Sequence, residues 1–218
     1  PYSSPGRWEL DISPELLALA DGGEQWFIAS HGDNNVGAYT YKYTVDLRLG
    51  QREDGLRPIG IQGLIADGGY GWGENYNAQW EDGWEFTPPE EASKVELYAQ
   101  ISGHGAASFN CAEFCTYTHE FTFGGEPVAH QYVQENVDRC AMMVDQGVTP
   151  NQGGTWFYDR SSWCPGFGIE EWREDLTDVI DLDASNTASY TSWRGANGEP
   201  TGGGARMDAR VELVYYGE

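Results

Sequence analysis

The chain has 218 residues and a formal net charge of −23 at pH 7. So acidic a surface argues against nucleic acid, because neutralising phosphates takes clustered Lys and Arg, and disfavours anionic membrane surfaces for the same reason. The 39% of hydrophobic residues are enough to fill a core, and no stretch approaches the ~20 apolar residues of a spanning helix, so membrane insertion is not expected.

Taken in chain order, the first signal is helical. Ser13 before Pro14 and Glu15 reads as an N-cap with proline at the first helical position, opening a short helix over 13–20. Residues 25–30 and 38–49 alternate with period two, the second placing Tyr39, Tyr41, Tyr43, Val45, Leu47 and Leu49 on one face. A charged stretch, Gln51-Arg52-Glu53-Asp54-Gly55, then marks a candidate boundary. Strand alternation returns over 94–102 and 208–216, and 170–180 reads as a second short helix. Gly- and Pro-rich turns such as Asp67-Gly68-Gly69 and Pro88-Pro89 separate these pieces. The pattern predicts an all-β protein of antiparallel jelly-roll or β-sandwich layers. The division is 1–50, the last part of an N-terminal sandwich, and 51–218, a C-terminal jelly-roll domain. Two or three strands alone are marginal in water, so 1–50 is expected to be completed by a missing N-terminal segment or another copy of the chain.

Chemistry concentrates in two motifs. Cys111-Ala112-Glu113-Phe114-Cys115 places a carboxylate between two cysteines, and a bond between them would hold Glu113 nearly fixed. Asp159-Arg160-Ser161-Ser162-Trp163-Cys164-Pro165-Gly166 sets an Asp-Arg pair beside a tryptophan on a turn stiffened by Pro165 and Gly166. A fixed acid, a guanidinium and aromatic surfaces are the materials of a polar-ligand pocket, with sugars the obvious class. Four cysteines, an even count, suit disulfides in an oxidising compartment. A four-cysteine zinc site is disfavoured because no C-x2-C pair exists.

With Ile101-Ser102-Gly103-His104-Gly105, these segments resemble the peptide:N-glycosidase F family, most clearly from Glu96 to Gly166. The resemblance implies two eight-stranded sandwiches side by side, the first incomplete in this chain, with a glycan cleft along their interface. It also implies an amidohydrolase: water attacks the asparagine side-chain amide carbon of an N-glycoprotein and a glycosylamine leaves. Glu113 matches the second-domain glutamate used at the substrate, and Arg160 and Trp163 match residues lining the cleft. His104 and Trp156 are the further substrate-binding candidates. In flanks that match the family, the expected bridges are Cys111–Cys115 and Cys140–Cys164. The family's principal catalytic aspartate lies upstream of anything present here, and a second carboxylate would fall near Ser30 or His31, neither acidic. His104 also stands where the best-known enzyme has Trp.

The implied partner is an N-glycan or glycopeptide, and the implied location is secreted, periplasmic or at the cell surface. The rival reading is a non-catalytic glycan-binding module or a structural subunit of an extracellular assembly. Glu113 could equally cap backbone N–H groups, Arg160 could pair with Asp159 or another acid, and Trp163 and Trp156 could be packing residues. No cofactor is expected. Calcium is the exception weighed, since carboxylates are scattered along the loops, yet no segment has EF-hand spacing. Four histidines with no His-x-His or His-His pair argue against copper, and no G-x-S-x-G elbow supports a serine hydrolase.

Overall fold

The computed structural model describes residues 9–20, 22–27, 44–50, 53–105, 112–134, 137–150, 154–195, 198 and 205–218. These form an all-β sandwich of two antiparallel four-stranded sheets. The strands are β1 (Arg57–Gly71), β2 (Trp84–Phe86), β3 (Lys94–His104), β4 (Tyr117–Phe123), β5 (Glu126–Tyr132), β6 (Glu171–Asp175), β7 (Asn186–Arg194) and β8 (Arg206–Gly217). One sheet runs β1-β8-β3-β6 and the other β2-β7-β4-β5. We call them the first and the second sheet.

Period-two alternation builds the first sheet. β3 and β8 pair without a slip from Lys94↔Tyr216 to His104↔Arg206. Val95, Leu97, Ala99 and Ile101 therefore meet Tyr215, Leu213, Val211 and Ala209 on the inner face, while Lys94, Glu96, Gln100, Arg210 and Glu212 take the outer one. In the second sheet the same rule buries Tyr117, His119, Phe121 and Phe123 of β4. Gly124 and Gly125, both at positive φ (58° and 100°), turn β4 into β5 with two residues, the conformation that matches strand twist in a tight hairpin.

Both C-terminal strand expectations, 94–102 and 208–216, fall inside observed strands, β3 and β8. The helix expected over 170–180 does not form. Residues 171–175 are β6, with Trp172 inward opposite Ala99, and Leu176 continues by donating its N–H to Val95 O. Only one turn at 176–180 retains helical bonding, because pairing with β3 satisfies the backbone that a helix would otherwise use. The N-terminal helix is present as a 3-10 turn at Ser13–Glu15 followed by α1 (Leu16–Ala20). Ser13 does not cap it: Asp11 Oδ1 accepts the Ser13 N–H at 2.9 Å, and Ser13 lies inside the turn. Of the two N-terminal segments expected as strands, the described parts, 25–27 and 44–49, form no ladder. Trp26 there is 82% exposed and Leu49 79%. The remainder, 28–30 and 38–43 with Tyr39, Tyr41 and Tyr43, lies outside the described residues, as do Ser30 and His31.

Candidate functional site

The site forms at one end of the sandwich, where β3 finishes, β4 begins and the 155–164 loop crosses. Gly103 makes the junction possible. A Cβ there would sit 1.6 Å from Ala112 O, so only glycine lets the 112–115 segment press onto the end of β3. Ala112 is fully buried against that strand, which leaves Glu113 standing above it at the rim.

Arg160 is wholly buried, and its Nε–H donates to Glu113 Oε1 at 2.6 Å. Its Nη1 donates to Tyr158 O at 3.1 Å and its Nη2 to Thr155 Oγ1 at 3.3 Å. Aromatic rings complete the cage: the guanidinium carbon lies 4.9 Å from the Phe114 ring centroid and 4.8 Å from that of Trp163, a cation–π arrangement that offsets part of the desolvation. Glu113 receives a second donor, the Gly105 N–H, on Oε2 at 3.3 Å. Its side chain keeps 17% of its surface in solvent, so Glu113 is the polar end of the pair that a ligand can reach.

Trp163 links this pair to β3. Its indole N–H donates to Gly103 O at 3.0 Å, and its ring lies 4.8 Å from the His104 imidazole. His104 Nε2 is 2.9 Å from Ser102 Oγ and 3.5 Å from Asp208 Oδ2. One nitrogen serves both neighbours, so this is not a Ser-His-Asp relay, in which base and orienting acid occupy different nitrogens. Burial pushes the imidazole below its ordinary value despite the Asp208 carboxylate.

The 155–164 loop is anchored from behind. Cys140, in α2 (Arg139–Met142), is bridged to Cys164. Arg139 reaches the fully buried Asp159 at 3.4 Å. The reading of Asp159 as a direct partner of Arg160 gives way to this arrangement: Asp159 is paired with Arg139 and Arg160 with Glu113. Trp156 packs, partly buried, in the small core around the bridge with Val148 and Met143. Cys115 is disulfide-bonded as well; its expected partner, Cys111, lies outside the described residues. Ser162 holds a φ of 75°, a left-handed conformation unusual outside glycine, at the sharp bend between Arg160 and Trp163. Among the described residues no cluster of three or more His, Cys, Asp or Glu is placed to hold a metal, and none of their helices is long and apolar enough to cross a membrane.

The arrangement can fix a carboxylate between a guanidinium and a backbone N–H, next to an indole face. The profile of the family described as Peptide-N-glycosidase F, C terminal, matches residues 74–207. The chain belongs to that family. Among solved structures it is similar to a peptide-N(4)-(N-acetyl-β-D-glucosaminyl)asparagine amidase, with 20% identity, a TM-score of 0.57, and coverage of 72% of this chain and 51% of that one. It is also similar to PNGase F, a glycosylasparaginase from Flavobacterium meningosepticum, with 18% identity, a TM-score of 0.50 and the same 72% and 51% coverage. These likenesses establish the fold, and the chain spans about half the length of those relatives. Comparison with curated proteins finds no sequence match.

Of the residues singled out in the sequence, Glu113, Arg160, Trp163 and His104 come together, while Trp156 joins the bridge core. Phe114, Tyr117, Gly105 and Thr155 belong to the same constellation and were not anticipated. Phe114 and Gly105 stood inside segments already noticed. Tyr117 lay in a stretch where no strand was expected.

Proposed function

We propose that this domain binds the proximal N-acetylglucosamine of an N-glycan or glycopeptide and is the sugar-holding half of an amidohydrolase of the peptide-N-glycosidase F type. One observation carries the reading: Glu113, braced by the buried Arg160 at 2.6 Å and by Gly105 N–H, presents a carboxylate at the rim beside Trp163. A fixed acceptor next to an indole face suits a sugar, whose hydroxyl and amide groups donate while its ring face stacks. Arg160 has no surface of its own, so its part is to hold Glu113 in place, and Glu113 and Trp163 make the contacts. In the complete reaction Glu113 would orient sugar and water, with the principal carboxylate supplied from outside these residues by the segment that completes 1–50. The disulfide fits a secreted, periplasmic or cell-surface setting.

The test is calorimetric titration of the 218-residue chain with N,N′-diacetylchitobiose and an N-glycopeptide, beside Glu113→Gln. We expect measurable binding that Glu113→Gln weakens at least tenfold. Equal affinity in both proteins overturns the reading. Glu113→Ala removes the counter-charge of a buried guanidinium and is expected to cost about 3–5 kcal/mol of stability. Gln removes the same charge but keeps one acceptor oxygen for the Arg160 Nε–H, so its loss is smaller than that of Ala.

A further inference from the structure

The Tyr117 hydroxyl occupies a point where segments of the site cross. Tyr117 opens β4 in the second sheet and is fully buried. Its oxygen accepts the N–H of Gly103, at the end of β3 in the first sheet, at 3.0 Å. The same hydroxyl donates to Ser161 O, next to Arg160, also at 3.0 Å. Two neighbouring bonds and one close contact surround it. Trp163 Nε1–H donates to Gly103 O at 3.0 Å, Ser161 Oγ donates to Cys115 O, and the Ala112 carbonyl presses on Gly103 where a side chain would stand. Gly103 is thus held at its N–H by Tyr117 and at its carbonyl by Trp163. Two residues on, Gly105 donates to Glu113. One residue before Ser161, Arg160 braces the same carboxylate from the other side.

We propose that Tyr117 is a positioning residue of the glycan site, whose hydroxyl sets the separation between the Gly105 and Arg160 donors and so aims Glu113. The inference rests on the sugar-binding reading for its consequence but not for its geometry. Burial pushes the phenol well above its ordinary value, so the hydroxyl stays protonated and able to donate near neutral pH. A phenylalanine fills nearly the same volume, but it takes from the Gly103 N–H and the Ser161 carbonyl the partner each has here. Both would move, and a shift of well under 1 Å at these donors misaims a carboxylate.

Tyr132 supplies the control. Its ring is also buried, 6.0 Å from that of Tyr117, but its hydroxyl has no hydrogen-bond partner among the described residues. Removing that hydroxyl changes the same aromatic core without touching the crossing point. The experiment compares wild type, Tyr117→Phe and Tyr132→Phe by NMR, reading the exchange rate of the Arg160 Nε–H proton and the affinity for N,N′-diacetylchitobiose. We expect Tyr117→Phe to speed Arg160 Nε–H exchange and to weaken sugar binding, each at least tenfold, while Tyr132→Phe leaves both within twofold. Unchanged exchange in Tyr117→Phe, or an equal change in Tyr132→Phe, overturns the proposal. If wild type binds no sugar, the glycan reading fails, while the exchange arm still decides whether Tyr117 positions the pair. Should Tyr117→Phe not fold, wild type alone decides through the Tyr117 hydroxyl proton. A slowly exchanging signal in contact with Gly103 N–H supports the proposal, and its absence overturns it.

Discussion

The two sheets bury different chemistry. The inner face of the first sheet is mostly aliphatic along β3 and β8, with Val95, Leu97, Ala99, Ile101, Val211 and Leu213 at or near zero exposure. The inner face of the second sheet is aromatic and polar. Tyr117, His119, Phe121 and Tyr190 lie along β4 and β7, with Tyr132 beside them on β5. His119 stacks on Tyr190, its Nδ1 shares a 2.6 Å hydrogen bond with that hydroxyl, and Tyr190 in turn lies 3.0 Å from the Tyr76 hydroxyl. An aliphatic layer contributes through area and close packing and is indifferent to pH. A layer of buried hydroxyls and an imidazole contributes less securely, since each polar atom needs a partner. It can, however, reach out of the core, and Tyr117 does so at the site.

The largest effect should come from the aliphatic side. Leu97 and Leu213 sit directly opposite each other in the β3–β8 ladder and are both fully buried. Leu213→Ala leaves a cavity that two paired strands cannot collapse into, and the expected loss is about 2–5 kcal/mol. Chemical denaturation should show it as a lower midpoint with an unchanged slope. A loss under 1 kcal/mol would mean that the inner face of the first sheet is not close-packed at this pair.

How much of this was legible in the sequence follows the same division. β3 and β8 were readable because strict alternation leaves one assignment: odd positions from Val95 to Ile101 go in, even positions go out. β6 was not, because Glu170–Ile180 mixes acids and apolar residues at spacings that also suit a short helix, and only pairing with β3 decides for strand. At the site, the two cysteine-bearing motifs announced Glu113, Arg160 and Trp163. Tyr117 stayed hidden because its partners lie 14 and 44 residues away, and no strand was expected over the residues that form β4. Arg160 was expected to line the cleft or pair with an acid, and the structure buries it against Glu113, since a guanidinium caged by Phe114, Trp163 and a carboxylate no longer needs water.

The second prediction uses the pH sensitivity that only the polar layer has. Burial, reinforced by His130, pushes His119 down to about 3. The unfolded chain takes up a proton near pH 6.5, while the folded chain excludes it until about pH 3. The neutral imidazole's contribution is therefore intact above pH 6.5 and is lost as pH falls through that window. The loss approaches about 1.4 kcal/mol per unit once the unfolded histidine is protonated. Between pH 6.5 and 5, above the range where carboxylates dominate, wild type should lose stability more steeply than His119→Gln. Parallel curves would show that His119 takes up its proton without unfolding the sandwich.

The smallest expected effect lies on the outer face of the first sheet and asks whether that sheet also contributes through charge. Arg173 of β6 projects outward, its guanidinium 4.8 Å from the Tyr98 ring centroid, 3.3 Å from Glu171 and 2.9 Å from Asp11. Arg210 of β8 reaches Glu15 at 3.0 Å. These two ion pairs tether the N-terminal turn and α1 to the sheet. Asp11 has half of its side-chain surface in solvent, so water and salt screen the attraction, and such a pair contributes about 0–1 kcal/mol. Asp11 also accepts the Ser13 N–H, so Asp11→Asn, which keeps an acceptor for that bond, isolates the charge. Thermal unfolding of Asp11→Asn should match wild type within about 1 kcal/mol, and 0.5 M salt should erase what difference remains. A larger, salt-resistant loss would make the charged outer face a structural layer in its own right, and the contrast between the two sheets would no longer rest on their inner faces alone.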